Sequence, residues 1–234
     1  MRVEAAMFTF RALLICLLAC SAANAEIRQT ADLQVIKREI FASPKDTLVV
    51  FDTDFVLITP SDEAFILSVT DEGQNVLNQT YDDLWARLTL DDVEEMQSIV
   101  MRTKPWRPVT PDTPQIFNEI KNKDYKVLGL TSGGTGAFGN MRSMEKWMIE
   151  SLKDIDIVFD KNFINAKPGS LDQYIPSISK HYAKARHVCF PAAEDGIVFT
   201  CMASKGEVLE AYLQFAKIKP KKIIFIDDRL KHLE

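Results

Sequence analysis

The chain has 234 residues, with 28 Lys+Arg against 33 Asp+Glu for a formal charge of −5, and it is 47% hydrophobic and 26% charged. That balance excludes a disordered chain, and its mild acidity excludes a general nucleic-acid binder, which needs a basic face. The length supports a sizeable core without covalent staples.

The N-terminus comes first. Arg2 and Arg11 are followed by a short apolar run, Ala12 to Ala19, and then by Ala23-Asn24-Ala25, the small-x-small pattern that a signal peptidase accepts. This predicts a signal peptide over 1–25, a mature start at Glu26, and an exported protein, periplasmic or secreted. The run is shorter than the roughly 20 residues needed to span a bilayer, so no transmembrane segment is expected in the mature chain. Leu17-Leu18-Ala19-Cys20 resembles a lipobox, and a lipid anchor at Cys20 is the weaker reading. Cys16 and Cys20 leave with the leader; Cys189 and Cys201 remain. A hairpin turning over Pro191–Gly196 would set Cys189 opposite Val198, which does not favour a Cys189–Cys201 bridge. No C-x-x-C pair exists, and His181, His187 and His232 show no zinc spacing.

Downstream, helices and strands alternate. Thr30 to Ala42 carries Leu33, Ile36, Ile40 and Phe41 at helical spacing before Pro44. Thr47–Phe51, Lys126–Leu130 and Lys222–Ile226 are continuous apolar runs of the kind that fill strands buried on both faces of a parallel sheet. Helices are predicted over Pro114–Asn122, Phe138–Leu152 and Lys205–Lys217, and residues 155–200 read as β-rich or irregular. The alternation predicts an α/β fold with a doubly wound, mainly parallel sheet. Between the first two strands lies an excess of about 50 residues over an ordinary crossover. Ser61–Met101 reads as helical, with Trp85 within it, and Pro105, Pro108, Pro111 and Pro114 mark a linker, so 59–110 is predicted to be a small helical insertion.

Ligands of open α/β sheets bind beyond the carboxyl ends of the strands. Here the first strand ends in Asp52-Thr53-Asp54, the second in Thr131-Ser132-Gly133-Gly134, and the third in Asp227-Asp228. Asp52, Asp54, Asp227 and Asp228 would converge on one edge, where they repel each other unless a cation sits among them. Hard oxygen donors suit Mg²⁺ together with a phosphate. Ser204-Lys205-Gly206-Glu207 has the form of a capping box, which places Lys205 in the first turn of a helix, a site that attracts anions.

Asp52-Thr53-Asp54-Phe55-Val56, Thr131, Lys205 and Asp227-Asp228 together resemble the four ordered motifs of the haloacid-dehalogenase-like (HAD) phosphohydrolases, across residues 47–228. The chain is also similar to a group of secreted bacterial HAD-like proteins known mainly as a domain of unknown function. The resemblance implies a HAD-like Rossmannoid core with the insertion as its cap. It implies an exported Mg²⁺-dependent phosphohydrolase that acts on a small phosphomonoester through an aspartyl-phosphate intermediate. Asp52 would be the nucleophile and Asp54 the general acid and base. Thr131, Ser132 and Lys205 would bind the phosphoryl group; Asp52, Asp54, Asp227 and Asp228 would hold the metal. HAD domains continue with another helix and strand after the fourth motif. This chain ends at Glu234, so those elements are expected to be missing.

Two other readings compete. Gly134-Thr135-Gly136-Ala137-Phe138-Gly139 spells G-x-G-x-x-G, with Asp160 after the apolar run Ile155–Phe159, as in a dinucleotide-binding Rossmann protein. It leaves Asp52, Asp54, Asp227, Asp228 and Lys205 without roles. The other is a secreted interaction protein on an inactive HAD scaffold, against which the intact site positions count.

Overall fold

The computed structural model describes residues 26–62, 76, 79–80, 82–84, 86–103, 105–183 and 189–233. The predicted leader over 1–25 with Cys20, part of the predicted insertion helix (63–75) and Trp85 lie outside the described residues. The chain divides into two units, Met1–Ala31 and Asp32–Glu234, and the sheet lies in the second.

Five strands form the main sheet. They are β1 (Thr47–Phe51), β4 (Lys126–Thr131), β5 (Ala192–Glu194), β6 (Ile197–Phe199) and β7 (Lys222–Ile226), in the order β5-β6-β4-β1-β7. β6, β4, β1 and β7 are mutually parallel, and β5 is an antiparallel addition at the edge. The fold is therefore α/β with a mainly parallel sheet. Helices α1 (Leu33–Phe41), α2 (Leu90–Thr103), α3 (Thr113–Asn122), α4 (Met144–Lys153), α5 (Ile178–Tyr182) and α6 (Lys205–Phe215) accompany it. Among the described residues, no helix is long and apolar enough to cross a membrane.

Strand periodicity splits the core in two. Val49, Phe51, Val127, Ile197 and Phe199 face a cluster with Ile40 of α1, Ile116, Phe117 and Ile120 of α3, and Met148 and Leu152 of α4. Leu48, Val50, Leu128, Leu130 and Val198 face the other side, with Val208, Leu209, Ala211 and Tyr212 of α6. Side chains alternate between faces along a strand, so a strand covered by helices on both sides must be apolar throughout. This is why the continuous runs of β1 and β4 were legible as strands; β7, at the sheet edge, is only partly buried.

Three expectations change. The proline-bearing segment is not only a linker: Trp106–Pro108 (β3) pairs antiparallel with Ile58–Pro60 (β2), forming a second small sheet at the two ends of the predicted insertion. The helix expected from Phe138 starts at Met144. Phe138 pairs with Met141 in a tight turn, and the Ser143 hydroxyl caps the helix by accepting the Lys146 N–H at 3.1 Å. Gly139 lies in that turn at φ +50, where an added Cβ would stand 2.3 Å from the Glu94 carbonyl oxygen of α2. Finally, the hairpin turns at Asp195 (φ 48) and Gly196 (φ 81), the two left-handed residues of a tight hairpin turn, rather than over the whole of 191–196. That sets Ala192 opposite Phe199 and brings Cys189 to Cys201, which are joined by a disulfide with Cα atoms 5.7 Å apart.

Candidate active site

The site is built from adjacent strand ends. β1 and β7 pair in parallel up to Phe51 and Ile226, and the Asp52 N–H continues the ladder by donating to the Ile226 carbonyl at 2.8 Å. Asp52 and Asp227, the next residue of each strand, are thus brought side by side. Asp52 is buried, and its Oδ1 accepts the Thr53 N–H at 2.7 Å.

Lys205, the first residue of α6, closes the pair. Its Nζ stands 2.8 Å from Asp52 Oδ2 and 2.6 Å from Asp227 Oδ2, with the three side chains 1%, 7% and 0% exposed respectively. The Ser204 hydroxyl caps α6 by accepting the Glu207 N–H at 3.4 Å. The capping box is only half made, because the Glu207 carboxylate accepts from the Ser177 hydroxyl of the neighbouring turn.

Asp54 comes from the loop after β1. That loop is a single turn, with Leu57 and Ile58 N–H groups donating to the Thr53 carbonyl at 2.9 and 3.0 Å. Phe55 takes φ +61, an uncommon conformation for an aromatic residue and of the kind that clusters at functional sites. Asp54 Oδ2 accepts from the hydroxyls of Thr53 at 3.3 Å and Thr131 at 3.4 Å. Thr131, the last residue of β4, is itself fixed by accepting the Gly133 N–H at 3.1 Å.

The loop after β4 and the loop before α6 run together. Thr200 N–H donates to Thr131 O at 2.9 Å, Met202 N–H to Ser132 O at 3.0 Å, and Cys201 N–H to Gly133 O at 3.1 Å. The Cys189–Cys201 disulfide ties the second loop to the segment leading into β5, and Thr135 Oγ1 lies 3.2 Å from Cys201 Sγ. Two elements that carry Thr131 and Lys205 are therefore held as one unit.

The electrostatics are set by burial. Desolvation pushes the Asp52 carboxyl up to about 8; Lys205 opposes this, and Asp227 and Asp54 add to it. Asp228 is raised as well, by burial first and then by the charge of Asp227. One ammonium does not balance this many carboxylates in a desolvated place, and a further cation would favour their ionised forms. The donors are carboxylate oxygens, which fit a hard divalent ion.

A family described as "Protein of unknown function (DUF2608)" matches residues 29–234. The chain belongs to this family. Similar to it are an uncharacterized protein of Rickettsia felis, 23% identical over 97% of this chain and 76% of the relative, and one of Rickettsia bellii, 23% identical over 94% and 74%. "Uncharacterized protein RC0398" of Rickettsia conorii is 23% identical over 97% and 76%. No solved structure matches the chain.

In this DUF2608 chain, Asp52, Asp54, Thr131, Lys205 and Asp227, all singled out in the sequence, are linked by contacts. Asp228 makes its ion pair with Arg229, whose Nε is 3.9 Å away, while feeling the charges of Asp227 and Lys205, and Ser132 takes part through its carbonyl. His232, which had no zinc spacing, was missed. Its Nδ1 is 2.9 Å from Asp227 Oδ1 and 3.1 Å from Oδ2. A histidine shortly after a strand-end acid pair was the available signal. Of the glycines in the G-x-G-x-x-G run, Gly139 backs onto α2, and the following helix begins only at Met144.

Proposed function

We propose that the chain is an exported, Mg²⁺-dependent phosphohydrolase of HAD-like architecture that cleaves a small phosphomonoester through an aspartyl-phosphate on Asp52. The observation that carries this reading is the buried Asp52–Lys205–Asp227 bridge at the ends of adjacent parallel strands, with Asp54 and Thr131 beside it. Export is supported by the leader pattern over 1–25 and by the Cys189–Cys201 disulfide, a bond that persists in oxidising compartments. The insertion over 59–110, entered and left through β2 and β3, is read as the cap.

In this mechanism an Asp52 carboxylate oxygen attacks phosphorus while the bond to the leaving oxygen breaks. Asp54 gives that oxygen its proton, so the alcohol departs neutral. The Asp54 carboxylate then takes a proton from water, whose oxygen attacks the same phosphorus; the acyl-phosphate bond breaks, returning Asp52 as a carboxylate and releasing inorganic phosphate. The Thr131 hydroxyl and the backbone of Ser132 orient the phosphoryl oxygens, and Lys205 offsets their charge. Asp52, Asp54 and the Asp227/Asp228 pair would hold Mg²⁺, which supplies charge neutralisation and keeps Asp52 ionised. The test is hydrolysis of p-nitrophenyl phosphate by residues 26–234 with and without Mg²⁺. Metal-dependent turnover that disappears in Asp52→Asn supports the reading. Equal turnover by Asp52→Asn, or no turnover in a folded sample, refutes it.

A further inference from the structure

We propose that His232 is a nitrogen ligand of the divalent cation, forming with Asp52 and Asp227 a mixed donor set that takes Mn²⁺ or Co²⁺ in marked preference to Mg²⁺. This rests on the reading that Asp52 and Asp227 hold a cation, and adds a donor that an all-oxygen site lacks.

Geometry is the first argument. One ligand atom each from Asp52, Asp227 and His232 lies within 4.8 Å of the other two. Ligands about 2.1 Å from a common ion stand about 3 to 4 Å apart, so a small closure gathers these three.

The second argument is how the imidazole is held. After Asp227 the chain folds back: Arg229 N–H donates to Asp227 Oδ1 at 2.9 Å, and His232 N–H to the Arg229 carbonyl at 3.0 Å. The short 3₁₀ turn Leu230–His232 therefore presents Nδ1 to Asp227, with the ring 17% exposed. Lys205 approaches the Oδ2 atoms of Asp52 and Asp227, and His232 Nδ1 straddles both Asp227 oxygens at 2.9 and 3.1 Å, so the ammonium and the ring converge on the same carboxylate.

Donor chemistry gives the third. Imidazole is a borderline donor that suits the later divalent metals, while Mg²⁺ favours oxygen and keeps its water. Neutral imidazole also adds no charge, leaving the excess of Asp52, Asp54, Asp227 and Asp228 over Lys205 to be met by the ion itself.

The competing role is a plain hydrogen bond from the ring to Asp227, and spectroscopy separates the two. The full chain is loaded with Mn²⁺ alone and examined by electron spin echo envelope modulation, without any substrate. The expected result is ¹⁴N modulation from a coordinated imidazole that is absent in His232→Asn, whose amide can still donate to Asp227. Mn²⁺ affinity should fall about tenfold or more in the variant, with Mg²⁺ competition changed far less. Bound Mn²⁺ without ¹⁴N modulation, or modulation that survives in His232→Asn, overturns His232 as a ligand and leaves the cation reading standing. Failure of wild-type chain to bind Mn²⁺ at all overturns both.

Discussion

Lys205→Met tests the bridge on which the site is built. Methionine keeps the length of the stem and removes the ammonium, leaving Asp52 Oδ2 and Asp227 Oδ2 without a cation that now lies 2.8 and 2.6 Å away. At an effective dielectric of about 20, each contact at that separation carries about 6 kcal/mol of Coulomb attraction before desolvation is charged against it. Removing one partner of a buried pair costs about 3–5 kcal/mol net, because the stranded charge must either stay desolvated or take up a proton. For a chain of this size that lowers Tm by about 6–20 °C. Urea and thermal unfolding of Lys205→Met, Asp52→Asn and the double variant, without divalent metal and at pH 9, above the value of about 8 at which Asp52 releases its proton, form the cycle. If stranded charge is the cause, adding Asp52→Asn to Lys205→Met recovers at least about 1 kcal/mol of the loss. A loss below about 1 kcal/mol in Lys205→Met, or a double variant whose losses merely add, would refute the reasoning.

Four further outcomes follow from Asp52 and from other parts of the structure. Between the ordinary carboxylate value of 3.8 and about 8, folded Asp52 keeps a proton that the unfolded chain has released. Metal-free stability should therefore fall as pH rises through that window, by up to about 1.4 kcal/mol per pH unit. Asp52→Asn should remove this part of the dependence in a urea-midpoint series, leaving that of Asp228. The cysteines are 12 residues apart in sequence, so reducing the disulfide should cost about 3 kcal/mol by loop-closure entropy, read as a lower Tm in dithiothreitol and in Cys189→Ser. Gly139→Ala should cost about 2–3 kcal/mol, because its Cβ would meet the Glu94 carbonyl at 2.3 Å and Ser98 Oγ at 2.5 Å. Gly136→Ala, at φ +79 with no neighbour within 4 Å, should cost only about 1 kcal/mol in the same denaturation assay.

The legible parts of the chain were those where one local signal matched one tertiary outcome. β1 and β4 are covered on both faces, so their sequences are apolar without interruption; β7 is an edge strand with Ile223 exposed, and the polar residues that end all three mark the edge of the sheet. That is why Asp52, Thr131 and Asp227 could be placed together before any coordinates. β2 and β3 gave no such signal, being strands of three residues that each end in proline and form a small sheet with each other. The start of α4 was obscured because Phe138–Met141 is apolar at both ends, while Ser143 and the packing of Gly139 on α2 decide the boundary. The disulfide was misjudged through the turn. Only the left-handed pair Asp195–Gly196 fixes the register, and a shift of the turn centre changes which residues face Cys189. His232 escaped because its approach to Asp227 depends on a reversal of the chain over Arg229–His232 that no periodicity encodes.

The central proposal is that phosphorus is transferred to Asp52, and trapping that species tests it most directly. The chain is mixed with p-nitrophenyl phosphate and Mg²⁺, quenched in acid, reduced with borohydride, which turns an aspartyl-phosphate into homoserine, and digested for mass spectrometry. The account predicts homoserine at position 52 and nowhere else, with a larger yield in Asp54→Asn, where the base that drives hydrolysis of the intermediate is gone. Turnover with an unmodified Asp52, or homoserine at a different aspartate, would contradict it.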